Sequence, residues 1–264
     1  MRAVASIAAV VAAFTTVPVA AEPLTSVWTL ESAATVETRT VPFGKPFLEM
    51  QLVPARVVQI AGDAEWAPGK QVTAGTLLFK VYQADGQTAY CTAKDLSGKN
   101  AAKSLFIPAL DKRPCFIDAD HDGQFEAAFT VFDKYGSALT PSGNLSSATK
   151  IARPITYAMA PTGAVPKLYR VSFALVGSRK PEKFGIEVRL KKGEGNHIGE
   201  LLFAESQRDG AKLSFANMSV TMQNVVGKEA VIDLAIDPAM LFLGSSNGAF
   251  NGALPSALPK DWNM

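Results

Sequence analysis

Apolar and polar residues alternate with a period of two along many short stretches of this chain. Between residues 184 and 190, Ile186, Val188 and Leu190 share one face, and Glu187 and Arg189 share the other. Alternation of this kind indicates strands in sheets with one buried and one solvated face. Enrichment in apolar, β-branched and aromatic residues predicts further strands over residues 35–41, 47–60, 76–82, 87–92, 167–175, 211–222 and 229–236.

Three Asp-Gly steps lie beside these predicted strands, at residues 85–86, 122–123 and 209–210. Asp-Gly favours a two-residue hairpin turn, because both central residues of that turn need a positive φ. The chain has no convincing long amphipathic helix and no repeat of fixed period. The sequence therefore predicts a mainly β protein, either an antiparallel β-sandwich or a Greek-key barrel, with few or no long helices.

Residues 136–150 are poor in apolar and aromatic side chains and rich in turn-forming residues, which predicts a linker or a long loop. This stretch separates a β-rich module over residues 22–135 from a second β-rich module over residues 151–264. The alternative is that the two modules are halves of a single sandwich. About 240 residues can bury one large core or two small ones.

The first 21 residues have the layout of a secretory signal peptide. Arg2 is followed by an apolar run and then by small residues, which predicts cleavage after Ala21. The alternative is a retained membrane anchor, although Thr15, Thr16 and Pro18 make this segment a poor bilayer span. No transmembrane segment is predicted in the mature chain, and the expected location is the periplasm or the cell exterior.

The net charge argues against one class of partner. The full chain carries a formal charge of +2, and residues 1–21 contain one arginine and no acid, so their removal leaves +1. Nucleic-acid-binding proteins normally present a basic stripe or patch. A nucleic-acid partner is therefore not expected.

Two cysteines, Cys91 and Cys115, occur in the whole chain. In an exported protein, two cysteines predict one disulfide bond. Their spacing matches no zinc-binding pattern. Closing a loop of about 25 residues would stabilise the fold by about 3 kcal/mol in the chain-entropy model.

The densest group of charged residues follows Cys115. Asp118, Asp120 and Asp122 occupy alternate positions, and Gly123 comes directly after them. Oxygen ligands at alternate positions, with a glycine at the sixth, suit a hard cation such as calcium. The stretch resembles the Asp-x-Asp-x-Asp-Gly calcium loops of EF-hand, dockerin and thrombospondin type-3 modules over about a dozen residues.

The resemblance implies a structural calcium ion and a definite set of ligands. The ligands would be Asp118, Asp120, Asp122, the carbonyl oxygen of Gln124, and Glu126 acting directly or through a water. Phe129 stands where these loops have a bidentate glutamate, so the expected dissociation constant rises to about 10⁻⁴ to 10⁻³ M. The alternative interpretation is a plain hairpin turn with its acids on the solvent side.

Other motifs carry little chemistry. Residues 244–248 match Gly-x-Ser-x-Gly, but both histidines, His121 and His197, precede them, and no helix is predicted after the serine. The three tryptophans are widely separated and do not predict a sugar-stacking platform. No catalytic or cofactor-binding residues are therefore predicted apart from the metal ligands.

The expected function is that of an exported binding or structural protein of the cell envelope, stabilised by calcium. Its partner would be an unidentified envelope component or a small ligand. One alternative is a hydrolase of envelope glycans or peptides that uses a pair of carboxylates brought together by the fold. A second alternative is a carrier that holds a small apolar ligand in an internal cavity.

Overall fold

The structure of the protein is a computed structural model. It describes residues 23–31, 35–92, 112–132, 139–161, 163–165, 169–177, 183–192, 196–197, 207–209, 211–215, 218–237, 241–246, 250–253, 256 and 258–263. The predicted signal segment, residues 1–21, lies outside them. Within these ranges no helix is long and apolar enough to cross a membrane.

Strands make up 69% of the structure and helices 4%, which confirms the predicted mainly β class. The strands are β1 (Thr25–Leu30), β2 (Thr35–Pro42), β3 (Pro46–Pro54), β4 (Val57–Ile60), β5 (Ala64–Ala67), β6 (Lys70–Val72), β7 (Leu77–Tyr82), β8 (Thr88–Thr92), β9 (Lys112–Ile117) and β10 (Gln124–Phe132). They continue as β11 (Thr149–Met159), β12 (Tyr169–Gly177), β13 (Phe184–Lys192), β14 (Asn196–His197), β15 (Gln207–Asp209), β16 (Lys212–Phe215), β17 (Met218–Val226), β18 (Glu229–Ile236), β19 (Leu241–Ser245) and β20 (Phe250–Ala253). Short 3-10 helices occupy Leu145–Ser147 and Lys260–Asn263.

Two sheets pack face to face around the largest buried cluster. The first has thirteen strands and includes β13, β12, β3, β1 and β19, and the second has the order β15-β16-β17-β18-β2. Strands of both sheets contribute to one core, with Trp28, Phe173 and Leu175 on one side and Val220 and Ile232 on the other. This arrangement is an antiparallel β-sandwich.

Six strands of the first sheet close into a ring. β7 pairs with both β4 and β8, and the remaining contacts run through β9, β10 and β11 back to β4. From β7 to β11 the neighbours follow chain order, so the connection is a meander. All six strands supply side chains to one buried cluster, which therefore lies inside the ring: Val58, Ile60, Leu78, Tyr90, Phe116, Phe125, Ala128, Ile151 and Ile155.

Hairpins are confirmed at two of the predicted Asp-Gly steps, but their loops have five residues (83–87) and six residues (118–123) in place of the expected two. Asp85-Gly86 joins β7 to β8, and Asp122-Gly123 joins β9 to β10. Gly86 has a φ of 90° and Gly123 a φ of 89°, a conformation that suits glycine. Asp85 and Asp122 do not have a positive φ, so the expected turn with two positive φ values was wrong. At the third step β15 and β16 are paired, while Gly210 lies outside the described residues.

Two of the predicted strands are each divided in the structure. Residues 211–222 form β16 and β17, which pair with each other, so the prediction of a single strand there was wrong. Leu213 pairs with Val220, and the two side chains enter the core from opposite arms of a hairpin. Residues 47–60 are divided because β3 pairs with β1, whereas β4 pairs with β7.

The predicted linker, residues 136–150, contributes to the core where it is described. Leu139, Thr140 and Leu145 are buried. On either side of this stretch the chain shares both sheets, because β1 pairs with β19 and β2 pairs with β18. The division of the chain into two modules stays a prediction.

The predicted disulfide is confirmed. Cys91 and Cys115 are bonded to each other, and they face each other directly across β8 and β9. Both residues are fully buried in a cluster that includes Phe79, Phe129 and Val131. The bond therefore links two strands of the ring next to the Asp118–Gly123 turn.

Replacing both cysteines tests the contribution of this bond. We expect Cys91→Ala/Cys115→Ala to lower the free energy of unfolding by about 3 kcal/mol, because the unfolded chain regains the entropy of an open loop. Urea unfolding measures the change. Reducing agent should produce a loss of similar size in the unaltered protein and none in the variant. Equal stabilities of the oxidised protein and the variant would contradict the prediction.

Candidate metal centre

The acidic turn connects β9 to β10 at the rim of the ring. Asp118 directly follows the last residue of β9, and the turn ends at Gly123. Gly123 and His121 both have a positive φ, 89° and 62°, so the backbone bends sharply twice. A positive φ is uncommon for a residue other than glycine. The bends bring the side chains at alternate positions together.

Four carboxylates converge at this turn. Asp118, Asp120, Asp122 and Glu126 each offer one oxygen, and these oxygens lie within 4.8 Å of one another. Asp120 and Asp122 are exposed, Glu126 is half-buried, and Asp118 is only 4% exposed. Like charges at this distance repel one another unless a cation or a proton compensates them. In the described part of the chain, no lysine or arginine forms an ion pair with any of the four.

Asp118 is the buried member of the cluster. Its Oδ2 accepts hydrogen bonds from the Tyr157 hydroxyl at 2.6 Å and from the Gly123 amide at 3.2 Å. Its Oδ1 is also buried and has no hydrogen-bond partner among the described residues. A buried carboxylate oxygen without a partner is costly, and a bound ion is one of the few ways to satisfy it.

Local hydrogen bonds fix the other acids. Asp120 Oδ1 accepts from the Asp122 amide at 3.3 Å, and Asp122 accepts from both the amide and the side chain of Gln124. Glu126 Oε2 accepts from the Ala119 amide at 3.0 Å and thereby ties β10 back to the turn. The carboxylates are held in position by the backbone of their own loop.

Tyr157 supports the cluster from β11. Burial raises the pKa of its hydroxyl, and the hydrogen bond that it donates to Asp118 raises this pKa further. The phenol therefore stays protonated at neutral pH and remains a donor. Its ring stacks on Phe125 with the centroids 4.3 Å apart, which connects the acidic turn to the interior of the ring.

Four of the five predicted ligands meet in the structure: Asp118, Asp120, Asp122 and Glu126. The carbonyl oxygen of Gln124 as a fifth ligand stays a prediction. Phe129, at the twelfth position of the loop, has no side-chain oxygen, and its ring is buried among apolar residues. Tyr157 was not predicted, because it lies 39 residues from Asp118 and nothing in the local pattern connects them.

The other candidate motifs of the sequence lie in a strand, in the acidic turn or outside the described side chains. The Gly-x-Ser-x-Gly match begins in β19, which pairs with β1 and with the following strand, β20. A strand thus follows where a nucleophile elbow would need a helix. His121 is exposed on the acidic turn, and the side chain of His197 lies outside the described residues.

The donor set determines which metals this site suits. The four converging ligands are carboxylates, which are hard oxygen donors suited to magnesium, manganese and calcium. No cysteine or histidine belongs to the cluster, whereas zinc sites are usually built from those residues. The arrangement can therefore hold a hard divalent cation. Comparisons with protein-family models, curated proteins and solved structures found no match for this chain.

Proposed function

We propose that this protein is an exported, non-enzymatic binding or structural module of the cell envelope, and that its acidic turn binds calcium. The observation that carries the metal proposal is the convergence of four carboxylates around Asp118, whose buried Oδ1 has no hydrogen-bond partner among the described residues. A cation placed among them would neutralise their repulsion and satisfy that oxygen.

Calcium fits better than magnesium. Calcium accepts six to eight oxygen ligands in flexible geometry, whereas magnesium demands a near-ideal octahedron and usually retains several waters. Asp120 and Asp122 are exposed, so waters can complete the coordination. The absence of a carboxylate at position 129 supports a weak site, with a dissociation constant of about 10⁻⁴ to 10⁻³ M, which is the range of extracellular modules.

The disulfide supports the proposed location, because such bonds persist mainly in oxidising compartments. The signal-like residues 1–21 point the same way. A periplasmic or secreted protein would also meet calcium levels that a weak site can use. The localisation and the metal therefore support each other.

The two alternative functions receive less support. A carboxylate hydrolase that acted at the turn would need two carboxyl groups about 5 to 9.5 Å apart, whereas the oxygens of the four turn acids gather within 4.8 Å of one another. A carrier of apolar ligands needs internal space. The interior of the ring is packed with aromatic side chains, because the centroid of Phe125 lies 5.6 Å from that of Tyr90 and 5.3 Å from that of Phe116.

Thermal unfolding tests the calcium proposal. At a calcium concentration 100 times the dissociation constant, we expect a stabilisation of about 2.7 kcal/mol relative to chelator, because calcium binds only the folded protein. For a chain of this size, that corresponds to a rise of roughly 5–10 °C in the midpoint. Asp120→Ala should abolish the rise, because it removes an oxygen ligand.

Asp85→Ala is the matched control, because Asp85 occupies another Asp-Gly hairpin and accepts the same kind of hydrogen bond, from the Gln87 amide. Its response to calcium should equal that of the unaltered protein. Terbium provides a local readout, because Tyr157 lies beside Asp118 and can transfer excitation energy to a bound lanthanide. Tyr157→Phe should reduce this luminescence. Equal unfolding midpoints with calcium and with chelator would contradict the calcium proposal and favour the alternative of a plain hairpin turn.

A further inference from the structure

An open cleft of about 790 Å³ lies between the β5–β6 hairpin and the outer side of β11. This volume falls within the usual range of small-molecule sites. The cleft is distinct from the acidic turn, and none of the four clustered carboxylates lines it. Its polar and aromatic lining residues are Asp63, Glu65, Trp66, Lys150 and Arg153.

An irregular stretch of β11 shapes one wall. Lys150 pairs with Ala127 of β10, but the next pair is Ile155 with Phe125, so residues 151–154 stand opposite a single residue of β10. Ile151 fills the ring interior, while Lys150 and Arg153 are exposed on the cleft. A bulge of this kind re-aims side chains and is common beside functional sites.

Trp66 supplies the aromatic surface. The Trp66 and Phe116 rings meet at 84°, with the centroids 6.3 Å apart, and this contact helps to orient the indole. Lys70 Nζ lies 4.9 Å from the ring centroid. Trp28 and Trp262 are 5% and 4% exposed, so Trp66 is the half-buried tryptophan that can offer its surface to a ligand.

The two walls of the cleft carry opposite charges. Within the described ranges, the side chains of Lys150 and Arg153 form no hydrogen bond or ion pair. On the other wall, Asp63 accepts from the Ala74 amide at 2.8 Å and Glu65 accepts from the Gly69 amide at 2.6 Å. Each of these carboxylates uses one oxygen in this way and retains the other for a ligand hydroxyl.

We propose that this cleft binds an acidic oligosaccharide, a glycan whose sugar rings carry carboxylates. The apolar face of a pyranose ring would pack on Trp66, and its carboxylate would receive charge-assisted hydrogen bonds from Lys150 and Arg153. The sugar hydroxyls would donate to Asp63 and Glu65.

This inference deepens the binding part of the proposed function and does not depend on the calcium ion. Calorimetric titration with trigalacturonate tests it, and fully methyl-esterified trigalacturonate is the matched uncharged probe. The titrations contain a chelator, because carboxylated sugars bind calcium themselves. They are run well below the unfolding midpoint of the chelated protein.

Trigalacturonate should bind, and its methyl ester should bind about tenfold more weakly, because the ester cannot form the charge-assisted hydrogen bonds. The double substitution Lys150→Gln/Arg153→Gln should weaken trigalacturonate binding about tenfold as well, because it removes the two cations that would hydrogen-bond to the sugar carboxylate. Trp66→Ala should weaken both probes. Lys228→Gln, an exposed lysine in the turn between β17 and β18, is the control and should change neither.

Circular dichroism shows whether each variant is folded. If Trp66→Ala unfolds, the Lys150→Gln/Arg153→Gln variant still tests the proposal, because both of its substitutions are at exposed residues. Absence of trigalacturonate binding, or equal binding of the ester, would overturn the proposal. Equal binding of triglutamate would also overturn it, because that peptide has carboxylates but no sugar ring. If calcium does not stabilise the protein, the saccharide titrations still test this cleft. If no saccharide binds, the terbium luminescence still tests the calcium site.

Discussion

Phe125→Ala is expected to lower the free energy of unfolding by about 3–5 kcal/mol, the usual loss for a large aromatic residue in a core. Phe125 is fully buried inside the six-stranded ring. Its ring stacks on Phe116 and Tyr157, with centroids 5.3 and 4.3 Å away, and contacts Tyr90 at 5.6 Å. Truncation would leave a cavity that the surrounding strands of a closed ring cannot easily fill.

The same substitution should also weaken the response to calcium. Tyr157 rests on Phe125 and holds Asp118 by a hydrogen bond, so loss of the stacked ring loosens a proposed ligand. Urea unfolding with and without calcium measures both effects. Phe132→Ala is the matched control on the same strand, because Phe132 is 40% exposed. A loss equal to that of the control would contradict the packing argument.

Trp262→Ala should cost a comparable amount, about 3–5 kcal/mol. Trp262 is 4% exposed and packs against Tyr82, although it lies near the end of the chain. Its carbonyl oxygen accepts hydrogen bonds from Lys80 Nζ at 2.9 Å and from Arg56 Nη1 at 3.1 Å. Lys80 is 1% exposed, so protein groups such as the Trp262 carbonyl must replace the water that would otherwise solvate its ammonium.

A double-mutant cycle separates the contribution of the cation from that of apolar packing. Lys80 Nζ lies 5.4 Å from the centroid of the Trp262 ring and 5.8 Å from that of Tyr90. We expect the cost of Trp262→Ala to be about 2 kcal/mol smaller in a Lys80→Met background, because a desolvated cation–π interaction has roughly that value. Additive losses would mean that Trp262 acts by packing alone.

Local patterns predicted a large part of the fold. The alternation over residues 184–190 corresponds to β13, and the Asp-Gly steps at 85–86 and 122–123 are hairpin turns. These signals act over a few residues, so they do not depend on distant partners. The same locality explains the error over residues 211–222, where apolar residues continue through the hairpin of β16 and β17.

The candidate site was predictable only in part, because sequence patterns report on residues that are close together along the chain. Asp118, Asp120 and Asp122 belong to one turn, and their spacing alone places them together. The burial of Asp118 and its bond to Tyr157 depend on the pairing of β10 with β11. Trp66 and Arg153 are 87 residues apart in the numbering (153 − 66), and they share a cleft only because β5 packs beside β11.

The sequence by itself determined the β class, two of the hairpin turns, the disulfide partners and the set of converging acids. Each of these follows from side-chain periodicity, turn chemistry or a count of cysteines. Only the tertiary structure decided the closure of the ring, the burial of Lys80 against Trp262, and the cleft at Trp66. These features arise from which apolar faces meet across the whole chain, and local patterns do not encode that choice.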